Sequence, residues 1–197
     1  MKKNVGLLVV MSLVFLTGCS INHYVNSGND NISYEPVVCQ YTSTPTCWTA
    51  IDFISTNIKI YGDNTVEVYC SDFYDNGITV EYIYGETFEI TEEQKQEVID
   101  ALKKHRKGLL QEKGDEDSCD GDFSNIVLFD ENGEAIYCCG GLNPSGKSYK
   151  QVKSVIFSVI PEDAYRDVHK KATKVLVDYL IENYPEDYKN LAEEYMD

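Results

Sequence analysis

Gly141, Gly146, Lys147 and Ser148, within GGLNPSGKSYK (140–150), fit the spacing G-x-x-x-x-G-K-[ST] at every specified position. In a nucleotide-binding loop that spacing lets backbone N–H groups cradle phosphates while the lysine reaches the terminal ones. The surroundings of the motif argue against such chemistry. SNIVLFD (124–130) and EAIYCCG (134–140) both look like strands and are joined by the tight turn Glu131-Asn132-Gly133. They should pair antiparallel, whereas a phosphate loop of this kind needs parallel strands with crossover connections. Asp130, the candidate magnesium ligand at the end of an apolar strand, precedes the loop instead of following it. Residues 149–197 read as helical throughout, so no strands remain to complete a nucleotide-binding sheet. The segment is expected to be a glycine turn, with Ser148 capping the helix that follows. No cofactor is expected.

Cysteine is the other reactive side chain in quantity. Beyond Cys19 there are six: Cys39, Cys47, Cys70, Cys119, Cys138 and Cys139. An even number suits disulfides in an exported chain, and six cysteines allow fifteen pairings. Cys138 and Cys139 are neighbours in a strand, point to opposite faces and so need different partners. The expected pairing joins Cys39 to Cys47, and Cys70 and Cys119 to the 138–139 pair, each bridge contributing ~2–4 kcal/mol. The alternatives are inert free thiols, or reactive or metal-binding ones. Zinc is disfavoured by the lack of C-x-x-C and by only three histidines. The acidic run Asp115–Asp122 fails the calcium-loop template: starting at Glu116 puts Gly121 at position 6 but Val127 where Glu is required. The run reads as a solvated turn, and no metal is expected. His23, His105 and His169 form no constellation in sequence, and His105 and His169 are expected on helix surfaces among lysines. There is no H-E-x-x-H and no G-x-S-x-G. A Cys–His pair would require the fold to bring distant residues together.

The elements that must position these residues follow from periodicity. NIKIYG (57–62), NTVEVYCS (64–71) and GITVEYIYG (77–85) alternate apolar and polar residues, and ETFEI (86–90) adds a short strand. Ile78, Val80, Tyr82 and Tyr84 are expected on one face. Thr91-Glu92-Glu93-Gln94 is a capping box, and Val98, Leu102, Leu109 and Leu110 keep helical spacing to about Gln111. Lys103, Lys104, Arg106 and Lys107 offset the dipole at that helix's C-terminal end. Tyr149, Val152, Ile156, Val159 and Ile160 mark a second helix. Pro161 opens a third, with Ala164, Val168, Ala172 and Leu176 as its stripe, and Pro185 a short fourth. The order strands, helix, hairpin, helices predicts an α+β fold, an antiparallel sheet of about five strands with helices packed on one face. Tyrosine is abundant, fifteen residues beside the single Trp48. It suits half-buried sheet surfaces, or alternatively an aromatic recognition face.

The first 19 residues direct the chain. Lys2 and Lys3 precede an apolar run, Val5–Leu16, too short for a membrane span. The run ends in Leu16-Thr17-Gly18-Cys19, which resembles the lipobox of bacterial lipoproteins. The resemblance implies diacylation of Cys19, cleavage just before it, and anchoring by two acyl chains worth about 0.8 kcal/mol per buried CH₂. Residues 1–18 are then the signal peptide and 19–37, rich in Asn, Ser and Gly, the lipidated tether. Residues 38–197 form a single domain. It is expected at the outer face of the cell membrane, or at the outer membrane of a Gram-negative source, away from cellular nucleotides. Loss of residues 1–18 removes Lys2 and Lys3 but no acid. Seventeen basic side chains become 15 against 33 acidic ones, a formal net charge of −18. Such a surface repels nucleic acid. The expectation is a non-catalytic, lipid-anchored domain binding an envelope protein or a wall component. The alternatives are an envelope enzyme, thiol-dependent or hydrolytic, or a protective lipoprotein that captures a polypeptide.

Overall fold

A computed structural model describes residues 36–46, 51, 54–115, 121–130, 132–188 and 190–191. The leader with Cys19, and likewise Cys47, Trp48, Cys119 and residues 116–120, lie outside the described residues. Among the described residues six strands run in the order β1 (Val37–Pro45), β2 (Ser55–Tyr61), β3 (Thr65–Asp75), β4 (Ile78–Glu89), β5 (Asp122–Phe129) and β6 (Ala135–Leu142). Four helices occur among the described residues: α1 (Glu92–Leu109), α2 (Lys147–Ser158), α3 (Ala164–Asn183) and the single turn α4 (Pro185–Tyr188). The sheet is antiparallel throughout, with spatial order β4-β3-β2-β1-β5-β6. The fold is α+β, as the element order predicts, but with six strands instead of five.

The additional strand is β1, which joins the hairpin series β2-β3-β4 to the hairpin β5-β6. It begins at Val37, inside the stretch read as tether. Cys39, Tyr41 and Ser43 point into the core and Gln40, Thr42 and Thr44 away from it. Half of this strand is therefore polar by design, which hides it from a search for apolar runs.

Helices cover the inward face. α1 lies over β6, where the Tyr137 hydroxyl donates to the Leu102 carbonyl and the Arg106 guanidinium sits 5.6 Å from the Tyr137 ring. α2 lies over β1 and β5, through Phe157 against Tyr41 (ring centroids 5.2 Å) and the Tyr149 hydroxyl donating to Ser124 at 2.9 Å. α3 packs on β3 and β4. Ile58, Ile60, Val66, Val68, Leu102, Ile126, Ile156 and Leu176 are fully buried between the layers. Each such side chain contributes ~1.5–3 kcal/mol of burial. The capping box at Thr91 forms as its sequence predicts: Thr91 Oγ1 accepts from the Gln94 N–H and Gln94 Oε1 from the Thr91 N–H. α3 starts at Ala164, after a turn closed by the Ala164 N–H on the Pro161 carbonyl. Among the described residues no helix is long and apolar enough to cross a membrane.

Two details correct the expected faces. The sequence runs 77–85 and 86–90 form one strand, β4, broken by a register shift opposite Cys70–Ser71. A bulge of this kind re-aims side chains. Tyr84 packs against the core, whereas Tyr82 turns to the opposite side and stacks on Tyr69 (5.6 Å, 13° between planes). Gly85 makes room for that stack: a Cβ there would lie 2.3 Å from the Tyr82 hydroxyl and 2.7 Å from Tyr69 Cβ.

Candidate functional site: the outward sheet face

The sheet face away from the helices is built from the outward alternation of the central strands. β1 supplies Gln40, Thr42 and Thr44. β2 supplies Ser55, Asn57, Lys59 and Tyr61, and β3 supplies Glu67, Tyr69 and Ser71. Register sets them side by side: Thr42 pairs with Asn57, Asn57 with Tyr69, Ser55 with Ser71, and Lys59 with Glu67. On the other flank Thr42 pairs with Asn125 of β5.

These polar groups form one directed chain of hydrogen bonds. Gln40 Nε2 donates to Thr42 Oγ1 (2.9 Å), and Thr42 Oγ1 to Asn57 Oδ1 (2.8 Å). Asn57 Nδ2 donates to Ser71 Oγ (2.9 Å), and Ser71 Oγ to the Asp72 carboxylate (2.5 Å). Thr44 and Ser55 hydroxyls meet alongside at 2.7 Å. All donors point towards the exposed carboxylate, so each bond polarises the next. Asn57 is only 2 % exposed, yet both ends of its amide are engaged, which offsets its desolvation. A second cluster adjoins the chain. Glu67 accepts from the Tyr61 hydroxyl at 2.8 Å and from Tyr82 at 3.4 Å, and the Lys59 ammonium lies 4.8 Å above the Tyr69 ring. Burial, then the Glu67 charge, pushes the Tyr69 and Tyr82 phenols up, so both stay protonated donors. Ser55, Asn57, Tyr61, Glu67, Tyr69 and Ser71 are buried within this network, so the groups it offers at the surface are the half-buried Gln40, Thr42, Thr44 and Lys59 and the exposed Asp72, all ordered before any ligand arrives. Pre-ordering lowers the entropic cost of recognition.

The inward face holds the one Cys–His approach among the described residues. His169 of α3, expected on the helix surface, instead leans on the sheet: its Nδ1 is 2.9 Å from Thr56 Oγ1 and 4.0 Å from Cys70 Sγ. Thr56 is 3.5 Å from Cys70, and the Tyr165 hydroxyl shares hydrogen bonds with Ser43 and Thr56. Cys70 has no exposed surface, and burial raises its thiol to about 11. A protonated, inaccessible thiol is a poor nucleophile. The cluster ties α3 to β2 and β3.

Sheet order corrects one part of the expected pairing, that of Cys70 with the 138–139 pair, while the bridges that need Cys47 or Cys119 lie outside the described residues. Cys70 is on β3 and Cys138 and Cys139 on β6, with β2, β1 and β5 between. Four strand spacings hold them roughly 19 Å apart, whereas a disulfide tolerates about 7 Å between Cα atoms. Cys39, Cys70, Cys138 and Cys139 are free thiols. Cys138 is exposed and Cys139 buried, on opposite faces. Burial raises Cys39 to about 12 and Cys139 to about 11.

The glycine loop has an occupant from the chain itself. α2 begins at Lys147 after Gly146, so Ser148 is not its cap, and no side chain of the loop caps it. Instead Glu112, from the segment after α1, accepts the Gly146 N–H at 2.9 Å and the Ser145 N–H at 3.3 Å. This carboxylate sits where an anion bound at the helix N-terminus would sit. Gly141 packs on the 113–114 backbone (Lys113 O 3.0 Å from a Cβ placed there), and Lys147 points to solvent. Asp130 closes the β5–β6 turn, accepting from the Asn132 and Glu134 N–H groups.

The fold and outward face define an open-sheet α+β domain with an ordered polar network, largely buried, on the side away from the helices. Comparison with known proteins adds no relative: no protein-family model matches the chain, and no curated protein matches it significantly.

Proposed function

We propose that this chain is an exported lipoprotein, acylated at Cys19, whose domain binds a component of the cell envelope without catalysing a reaction on it. The observation that carries the reading is the hydrogen-bonded face from Gln40 to Asp72, which is polar, pre-ordered and lies opposite the helices. Gln40, Thr42 and Thr44, half-buried, and the exposed Asp72 are the groups of this row that a polar partner can reach, and the buried Asn57 and Ser71 hold them in register. The formal net charge of −18 on the mature chain favours neutral or basic partners over nucleic acid. No metal or cofactor enters the reading.

The test has two parts on one preparation. The membrane fraction of expressing cells is digested and the N-terminal peptide weighed: Cys19 should begin it and carry acyl chains, and Cys19→Ser should release the protein from the membrane. The same protein is titrated calorimetrically with solubilised wall fragments and with basic envelope proteins. A ligand found in this way should lose affinity in Gln40→Ala and Thr44→Ala. Undiminished binding by both variants sinks the assignment of the face.

A second reading, a thiol-dependent envelope enzyme, draws on the approach of Cys70 to His169. It requires Cys70 to become accessible. Alkylation of Cys70 in the folded protein as fast as in urea would favour it, and full protection would remove it.

A further inference from the structure

β2 and β3 are buried on both faces. Along β2 every residue but Lys59 is buried, and on β3 Val66–Ser71 are buried without a break. Alternation sends half of these side chains away from the helices. Tyr61 and Glu67 are among them, yet they are only 4 % and 8 % exposed. Among the described residues no helix packs on that side, since α1, α2 and α3 all join the core on the inward face. Neighbours on one sheet face stand side by side. The hydrogen bonds from Tyr61 and Tyr82 therefore satisfy the Glu67 carboxylate without roofing it. A strand buried on both faces belongs to a sheet covered on both sides. The burial is that of a single chain, so the cover belongs to the chain itself.

We infer that residues 20–35 fold back over the outward corner formed by Tyr61 and Glu67 and are its cover. Acylation of Cys19 and binding of an envelope partner play no part in this. The segment runs into Pro36, whose carbonyl accepts the Gly62 N–H at 3.2 Å, beside the paired Val37 and Tyr61. It therefore enters at the rim of that corner. The other longer stretches outside the described residues are attached at the far end of the sheet. Residues 116–120 lead into Gly121, whose carbonyl accepts the Thr46 N–H, and the C-terminal residues follow α4, where the Tyr188 hydroxyl donates to Asp75. The β1–β2 connection leaves and returns at that far end too. Half of so short a loop extends about 13 Å, whereas β2 carries Tyr61 roughly 20 Å away. The sixteen residues 20–35 reach up to about 50 Å when extended, and crossing from β1 to β3 takes about 10 Å. Their chemistry fits as well. Asn22, Asn26, Asn29 and Asn31 supply neutral amide donors, and the segment has no lysine or arginine. Glu67 accepts from Tyr61 at 2.8 Å but from Tyr82 only at 3.4 Å, and a carboxylate has lone pairs for further donors. Tyr34, two residues before Pro36 and so within about 7 Å of it, brings an aromatic ring to Tyr61.

The full chain, purified in dilute nonionic detergent, is footprinted with hydroxyl radicals, and oxidation of each tyrosine is measured by peptide mass. A second chain carries a glycine–serine run of equal length in place of residues 20–35. There, oxidation of Tyr61 should rise at least roughly fivefold, towards the level of a side chain on a wet sheet face. Tyr74, 69 % exposed at the far end of β3, should not change. Circular dichroism checks that the replaced chain is folded. A further measurement needs no variant. Chymotrypsin should cut after Tyr24 at least roughly tenfold more slowly in the full chain than in a synthetic peptide of residues 20–35, because cleavage samples only the uncovered state. Equal cleavage of chain and peptide, or a Tyr61 as protected in the folded replaced chain as in the original, overturns the inference.

Discussion

Replacing Glu112 should loosen α2 and, at the same time, open an anion site. α2 has no acidic residue in its first turn and no side-chain cap of its own, and among the described residues Glu112 is the carboxylate bonded to the N–H groups at its N-terminus. Three overlapping effects set the size of the change. Loss of an N-terminal cap costs ~0.5–2 kcal/mol. A charge at the helix N-terminus contributes ~0.3–1 kcal/mol, and a hydrogen bond to a charged group ~1.5–3 kcal/mol when well ordered. Because Glu112 is half-buried and its two bonds are unequal, Glu112→Ala should cost about 2 kcal/mol, near the middle of these ranges. Glu112→Gln should cost about 1 kcal/mol, since an amide carbonyl still accepts one bond. In a domain of this size 2 kcal/mol corresponds to a fall of roughly 4–8 °C in Tm. The assay is thermal and urea unfolding followed by far-ultraviolet circular dichroism, in chloride and in phosphate at equal ionic strength. Phosphate should raise the Tm of Glu112→Ala by filling the vacated nest and should leave the unmodified protein unchanged. Gly146→Ala should cost little more in the Glu112→Ala background than Glu112→Ala alone, because its Cβ would otherwise lie 1.9 Å from Glu112 Oε2. A Glu112→Ala protein within about 0.5 kcal/mol of the original, indifferent to phosphate, refutes the reasoning.

Other consequences follow from particular contacts. Gly85→Ala should destabilise by ~1–3 kcal/mol, because its Cβ must push Tyr82 off Tyr69; a urea midpoint unchanged from the original would show that the stack is slack. Hydrogen bonding to Lys171, then to Tyr84, holds the Glu86 carboxyl below its ordinary 4.5. A depressed carboxylate stabilises the fold above its unfolded pKa, and that contribution should fade as pH drops below 4.5. Lys171, whose pKa is raised mainly by the same bond, works in the opposite sense and loses its contribution as pH rises above 10.5. Lys171→Met should therefore flatten the acid limb of a stability-against-pH curve, and an unaltered limb would mean the pair is inert. Maleimide should label Cys138 within the folded state and leave Cys39, Cys70 and Cys139 protected until unfolding, because the last three are buried; quantitative peptide mapping checks the order.

What the sequence made legible was local. Alternation placed β2 to β6, and the capping box at Thr91 located the start of α1 to the residue, because both signals depend only on neighbours. β1 escaped since its outward side chains, Gln40, Thr42 and Thr44, belong to the polar face and dilute its apolar pattern. The same residues are the candidate site, so the site and the missing strand were hidden by one cause. The bulge in β4 turned Tyr82 away from Tyr84, and nothing in GITVEYIYG marks it, because it arises from pairing with β3. The remaining surprises are long-range. Thr56 and His169 are 113 positions apart, and Glu112 reaches Gly146 across 34. Periodicity carries no information about such meetings. Sheet order does, and it separates Cys70 from Cys138 and Cys139 despite their suggestive number.

The central claim is that the face ending at Asp72 meets a partner in the envelope. Carbodiimide labelling of carboxylates, quantified by mass spectrometry, tests it without naming the partner in advance. The chain is labelled in native envelopes and again after purification. Asp72 lies on the outward face and is exposed, while Glu162 and Asp178, also exposed, belong to the turn before α3 and to α3 itself. Asp72 should label more slowly in the envelope than in solution, with Glu162 and Asp178 unchanged. Equal labelling of Asp72 in both settings, or protection confined to Glu162 and Asp178, would contradict it.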